Sequence, residues 1–119
     1  MTANPGTGTW TTDLPIACNL ADQDFARRGQ AVAESIFAAV EETVELVDGY
    51  AFRFPADETW LPRLIEFVTA ERRCCPFFTF EIACEPDQGP IWLRLRGPEG
   101  VKAFIRDGFV QPRQVISEP

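Results

Sequence analysis

Stretches in which apolar and polar residues alternate are interleaved with stretches in which apolar residues recur every three or four positions. The first pattern predicts strands with one buried face, and the second predicts amphipathic helices. Strands are predicted at 16–20, in a hairpin over 44–54, and in a second hairpin formed by 77–85 and 91–96. Helices are predicted from Asp22 or Asp24 to about Glu41, from between Asp57 and Pro62 to about Cys74, and from Glu99 to Asp107.

The first hairpin has the clearest local signal in the chain. Asp48-Gly49 has the composition of a two-residue type I′ turn, in which both central residues need a positive φ. Val44 and Leu46 precede this turn, and alternating aromatic residues follow it up to Phe54. This arrangement predicts a hairpin with one buried face.

The second predicted helix ends at the one pair of adjacent cysteines in the chain. Its predicted apolar stripe consists of Leu61, Leu64, Ile65 and Val68. Pro76 is expected to end the helix near Cys74, because the residue before a proline is biased out of the helical region. In the second hairpin, alternation places Trp92 on the outer face together with Arg94 and Arg96, and an exposed tryptophan there would suggest a partner surface.

The predicted order of elements is β-α-β-β-α-β-β-α. One-sided alternation in both hairpins predicts an α+β fold, an antiparallel sheet with helices on one face. The first six elements follow the order of a ferredoxin-like unit. Residues 1–14 are interpreted as a flexible leader, 15–110 as a single α+β domain, and 111–119 as a C-terminal tail.

Size and charge narrow the classes of function. A chain of 119 residues that is 45% hydrophobic can bury one continuous core. Its net charge of −7 argues against nucleic acid, because phosphate binding requires a basic face. No stretch approaches the roughly 20 apolar residues of a membrane span. The first twelve residues lack a signal-peptide pattern, which predicts a cytoplasmic protein with reduced thiols.

Several residue types and motifs are absent from the chain, and their absence excludes several kinds of catalytic and binding site. It contains no histidine, which removes the usual catalytic triads and most catalytic zinc sites. It also lacks a glycine-rich nucleotide motif, a phosphate-binding loop and a Cys-x-x-Cys pair. No catalytic residue and no certain cofactor are therefore predicted.

What remains is the run from Glu71 to Cys75, Glu-Arg-Arg-Cys-Cys. Two thiolates with a carboxylate are a plausible partial shell for zinc or another thiophilic metal ion, so Cys74, Cys75 and Glu71 are the candidate ligands. Cys18 and Cys84 would add ligands if the fold brought them close. A redox role is a further reading, in which Cys74 oxidises and a neighbouring thiol resolves it.

The alternatives to a metal site are structural. Free cysteine is among the most buried residue types, so the pair can serve only to pack the core. Glu71 can be an ordinary helix-end carboxylate that pairs with Arg72 or with a neighbouring element. The second hypothesis is therefore a non-catalytic interaction domain or homodimer, with no small-molecule ligand assigned. An enzyme with Glu71 as base and Cys74 as nucleophile comes third, since no partner that orients the thiol can be identified.

The segment from Glu71 to Glu81, Glu-Arg-Arg-Cys-Cys-Pro-Phe-Phe-Thr-Phe-Glu, resembles a group of small bacterial proteins of unknown function that share a Cys-Cys-Pro-Phe signature. The resemblance continues through Gly89-Pro-Ile-Trp-Leu-Arg-Leu and Gly97-Pro-Glu-Gly-Val101, and more weakly through 49–55. It implies a shared signature and no particular activity.

Overall fold

The computed structural model of this protein describes residues 23–110 and 115–117, with side chains over 27–110. The elements are α1 (Gln23–Phe37), β1 (Glu42–Leu46), β2 (Gly49–Phe54), α2 (Trp60–Cys74), β3 (Thr79–Cys84), β4 (Ile91–Arg96), α3 (Val101–Phe109) and β5 (Val115–Ser117). The two hairpins and three helices occur in the predicted order. The strand predicted at 16–20 lies outside the described residues.

The strands form one sheet in the order β3-β4-β2-β1-β5. Each hairpin is antiparallel, and the two hairpins join through antiparallel pairing of β2 with β4. The α+β class with an antiparallel four-stranded arrangement is therefore confirmed. The predicted ferredoxin-like arrangement is not adopted, because it would place the first predicted strand beside β2, and both edges of β2 are paired, one with β1 and the other with β4.

The core lies between the sheet and the helices. Tyr50, Phe52 and Phe54 of β2 alternate inward beside Ile91, Leu93 and Leu95 of β4, and all six are buried. The ring of Phe37 at the end of α1 lies 4.8 Å from Phe52, 5.3 Å from Phe67 and 4.9 Å from Phe109, measured between ring centroids. These aromatic contacts join all three helices to the sheet in one apolar cluster.

Helix α2 presents a different stripe to the core from the one predicted. Its buried residues are Leu64, Phe67 and Glu71, whereas Leu61 and Val68 are half-buried and Ile65 is 53% exposed. Including Ile65 in the buried stripe was therefore wrong. The helix is rotated so that the line 64-67-71 faces the sheet, and this line places a carboxylic acid at a core position.

The first hairpin exists, but its turn differs from the type I′ turn predicted at Asp48-Gly49. Leu46 is directly opposite Gly49, so the two-residue loop is Val47-Asp48. Neither loop residue has a positive φ, nor does Gly49. A Cβ atom on Gly49 would lie 1.8 Å from the carbonyl oxygen of Leu95 in β4. The glycine is required because two strands approach closely, rather than for its turn conformation.

The paired residues also correct the expected face of β1. Thr43 lies opposite Phe52 and therefore on the helix-covered face, while Val44 lies opposite Ala51 on the other face. Leu46 shares the face of Val44 and is still buried. The apolar residues on the two sides of this turn thus lie on opposite faces of the sheet.

The left-handed turn occurs instead in the second hairpin. Asp87 has φ 60° and Gln88 has φ 55°, and the N–H of Gly89 donates to the carbonyl of Pro86 at 3.1 Å. Positive φ at both central residues is the feature of a type I′ turn.

The segment expected to be a tail contains a short strand. β5 pairs in parallel with β1, with Val115 opposite Thr43 and Ser117 opposite Glu45. Among the helices of the described chain, none has the length and apolar character required to cross a membrane.

Candidate thiol site

Glu71 lies on the core-facing line of α2 and is only 7% exposed. It is one of two buried polar residues in the described part of the chain, the other being Thr43. Arg72 and Arg73, its neighbours in sequence, are both exposed. The interpretation of Glu71 as an ordinary helix-end carboxylate therefore does not match its buried position.

Cys75 caps the same helix. Its backbone N–H donates to the carbonyl of Glu71 at 2.6 Å, and its φ and ψ of −128° and 74° lie outside the helical region. Pro76 accounts for this departure, since a proline disfavours helical backbone in the preceding residue. The break directs the thiol inward, and Cys75 is 3% exposed within the apolar core.

The two side chains meet in the core, where the Cys75 thiol is hydrogen-bonded to the Glu71 carboxylate. Burial, together with the negative charge and hydrogen bond of Glu71, raises the pKa of Cys75 to about 12. Burial also raises the pKa of the Glu71 carboxyl above its ordinary value, and this effect exceeds the lowering by the hydrogen bond from Cys75. At neutral pH Cys75 is therefore a protonated thiol and not a reactive thiolate.

Cys74 differs chemically from its neighbour. It is half-buried against the core and is one half of a disulfide. Cys75 and Cys84 are both free thiols, so the other half lies outside the described residues. The expectation of a reduced thiol is wrong for Cys74, and in this state its sulfur is not available as a metal ligand.

Of the two remaining cysteines, Cys84 has a described placement, and it is not part of this site. Cys18 lies outside the described residues. Cys84 lies at the far end of β3 and is exposed, although its strand partner Ile91 is buried. Among the described strands β3 lies at the edge of the sheet, so the side chain at its end is less covered than that of Ile91.

The structure thus brings together two of the three predicted ligands. Glu71 and Cys75 are in contact, while Cys74 is oxidised. Over the residues with described placement, no group of three or more cysteine, aspartate, glutamate or histidine side chains is arranged to hold a metal ion. The oxidised protein therefore offers a two-donor pair here.

Trp92 was the other residue singled out, as a group on the outer face of the sheet. It lies across from Arg53 and Ala83 on that face and is half-buried. Its indole N–H donates to the carboxylate of Glu85 at 2.5 Å. The face is as expected, but the ring has a polar partner and part of its surface is covered.

Comparison of the chain with protein-family models, with curated proteins and with solved structures gives no match. The resemblance to the Cys-Cys-Pro-Phe group therefore stays a prediction, and function has to be argued from the site.

Proposed function

We propose that this protein is a small thiol-based binding module for a soft or borderline metal ion, and that the site is completed only when the disulfide at Cys74 is reduced. Glu71 and Cys75 are the preformed donors, and Cys74 becomes the third. The observation that carries the proposal is the buried contact between a carboxyl group and a thiol at the end of α2.

The spacing supports a shared site. Residues three and four positions apart are neighbours on a helix surface, so both cysteine sulfurs lie one turn beyond Glu71. Cys75 is held by the core and by its backbone hydrogen bond to Glu71, which fixes the pair before any ligand arrives. Two thiolates and a carboxylate suit zinc or another thiophilic cation.

Burying Glu71 and Cys75 together is energetically unfavourable in the absence of a ligand. A buried carboxyl is unfavourable unless it is neutralised or well hydrogen-bonded, and a thiol is only a weak donor. A cation would compensate the charge of Glu71 and replace the proton of Cys75, so uptake releases protons and strengthens as the pH rises.

Reduction supplies the remaining donor. A dithiol reductant transfers two electrons and two protons to the disulfide, giving Cys74 and its former partner as thiols while the reductant becomes a disulfide. Ligand binding in this proposal is therefore restricted to the reduced protein.

The test is titration of reduced and oxidised protein with Cd²⁺, followed by thiolate-to-metal absorption and by elemental analysis after gel filtration. We expect one Cd²⁺ for each reduced chain and none for each oxidised chain. Cys75→Ala and Glu71→Gln should each weaken binding by tenfold or more, the loss associated with altering a metal site. Cys84→Ser is the matched control and should bind like the parent protein.

Two results would refute the metal site. One is a reduced, folded protein that takes up no Cd²⁺, and the other is Cys75→Ala with unchanged affinity. Circular dichroism of each variant separates loss of binding from loss of fold.

The second candidate is a non-catalytic interaction domain in which the cysteines only pack. It is favoured by the membership of Cys75 in the apolar core and by its protonated state. Under this account Cys75→Ser lowers stability because a hydroxyl replaces a buried thiol, and metal has no effect on either protein.

A further inference from the structure

β3 is an edge of the sheet, since β4 is its only strand partner within the described residues. Its six residues pair with β4 in unbroken register and include neither a proline nor a lysine. Bulges, prolines and lysines are the usual protections of an edge strand against pairing with another chain. Glu81 is the one charged residue in the strand.

The last hydrogen bond between β3 and β4 shows which backbone groups of β3 face away from β4. The N–H of Glu85 donates to the carbonyl of Pro90, so Glu85 directs its backbone groups toward the β4 side. These groups alternate along a strand in an antiparallel pair. Phe80, Ile82 and Cys84 therefore direct their N–H and C=O groups away from β4, toward the open edge.

The side chains of the same three residues share the helix-covered face. They lie opposite Leu95, Leu93 and Ile91 of β4. Phe80 and Ile82 are half-buried and pack on the core, while Cys84 is exposed. A strand added at this edge would extend the apolar face and satisfy the backbone groups at once.

We infer that the occupant of this edge is a second copy of the chain, with β3 pairing antiparallel to β3 of the partner about a two-fold axis at Ile82. Such an axis, perpendicular to the sheet, keeps each face continuous, so directly opposite residues must lie on the same face. The residue at the axis must therefore lie directly opposite its own copy in the partner strand.

Charge and hydrogen bonding select Ile82 as that residue. An axis at Glu81 would set two carboxylates directly opposite each other, which is unfavourable. It would also require the N–H of Phe78, which already donates to the carbonyl of Cys75. An axis at Ala83 would set Glu81 opposite Glu85. With the axis at Ile82, Glu81 lies opposite Ala83 of the partner, and Phe80 lies opposite Cys84.

Cross-linking tests this register directly. In a Cys84→Ser background, Ile82→Cys should form an intermolecular disulfide on mild oxidation. Opposite residues of a hydrogen-bonded pair have Cα atoms about 5.5 Å apart, within disulfide range. Glu81→Cys is the matched control and should not cross-link, because its nearest copy is diagonal at about 7 to 8 Å. Cross-linking of Glu81→Cys in preference to Ile82→Cys would overturn the assignment.

Association in solution tests the dimer without oxidation. Sedimentation velocity over a wide concentration range, at 0.15 M salt to screen the net charge of −7 on each chain, should show a monomer–dimer equilibrium. Ala83→Glu should weaken the dimer by about fivefold and Ala83→Lys should strengthen it, since each places its charge opposite Glu81 twice. Ile65→Arg, on the exposed side of α2, is the control and should change nothing.

Amide hydrogen exchange identifies any other occupant. In the dimer, Phe80, Ile82 and Cys84 should gain protection with increasing concentration. Protection of these amides that does not depend on concentration would mean that the chain covers its own edge and would overturn the inference. A monomer at every concentration would overturn it as well.

Discussion

The carboxyl group of Glu71 makes the stability of this protein depend on pH, because its pKa is raised by burial in the folded state. The ordinary value of the carboxyl pKa is 4.5. Above that value the unfolded chain loses the proton while the folded chain retains it longer. The folded state then binds more protons, so its free energy of unfolding falls as the pH rises from about 4.5 through the folded pKa.

Replacing Glu71 with Gln should remove this dependence. The amide keeps an acceptor for the Cys75 thiol and cannot ionise, so Glu71→Gln should be more stable than the parent at pH 8, by on the order of 1 kcal/mol. Urea denaturation at pH 4.5 and pH 8 measures the difference, and the two proteins should diverge only toward the higher pH. Glu66→Gln, at an exposed position of the same helix, is the control. An equal stability change at both pH values would mean that Glu71 is not buried as a titrating group.

At the scale of residues, the sequence singled out the segment in which Glu71 and Cys75 meet, but it did not indicate the state of every side chain there. Glu71, Cys74 and Cys75 were singled out, but the burial of Glu71 and the oxidation of Cys74 were not predicted. Burial of Glu71 depends on the rotation of α2, which is set by contacts with distant strands. One signal was available: Leu64, Phe67, Glu71 and Cys75 follow a helical period, but a charged residue is normally assigned to the solvent side.

At the scale of elements, the tightest steric constraint is the close approach of Gly49 in β2 to the backbone of β4. A Cβ atom here would meet the backbone of Leu95 at 1.8 Å and that of Arg96 at 2.9 Å. Gly49→Ala should therefore lower the free energy of unfolding by about 3 kcal/mol, since backbone atoms of a paired strand cannot move aside cheaply. Gly108→Ala is the matched control, because nothing lies within 4 Å of its Cβ position in α3 and alanine favours a helix. Chemical denaturation of both variants makes the comparison, and a neutral Gly49→Ala would contradict the close approach.

The turn of the second hairpin contains a strained residue, Gln88, and a substitution there should relieve the strain. Gln88 adopts φ 55°, a region in which side chains other than those of glycine, asparagine and aspartate are disfavoured. Gln88→Gly should raise the free energy of unfolding by about 0.5 to 1 kcal/mol, because relief of strain exceeds the added freedom of the unfolded chain. Gln88→Ala keeps the Cβ atom and should give no gain. A lower melting temperature for Gln88→Gly would argue against a left-handed conformation at this position.

The two turns show which local predictions are reliable. The hairpin around 47–48 was located from Asp48-Gly49, yet the glycine serves strand packing, a contact that joins distant parts of the chain. The left-handed turn at Asp87-Gln88 lacks a glycine at its second central position, so its sequence gives little indication of its geometry. The alternation of apolar residues in β2 and β4, by contrast, predicted their buried face correctly because it reflects local periodicity alone.

At the scale of the whole molecule, the α+β class and the order of the described elements were predictable, whereas the joining of β2 to β4 and the parallel strand β5 were not. Pairing between distant strands leaves no short-range pattern, and β5 has only three residues. A cytoplasmic location stays a prediction, and the disulfide at Cys74 weighs against a reducing compartment.

The junction of β2 with β4 has a consequence for how the chain folds. Each hairpin closes a short loop and forms quickly, whereas the junction joins segments on either side of α2 and must close a long loop. The core requires Phe52 from one hairpin and Leu93 from the other, so neither half buries its apolar face alone. We therefore expect the pairing of β2 with β4 to limit the rate of folding, and a chain synthesised only as far as α2 would hold its first hairpin without a core to stabilise it.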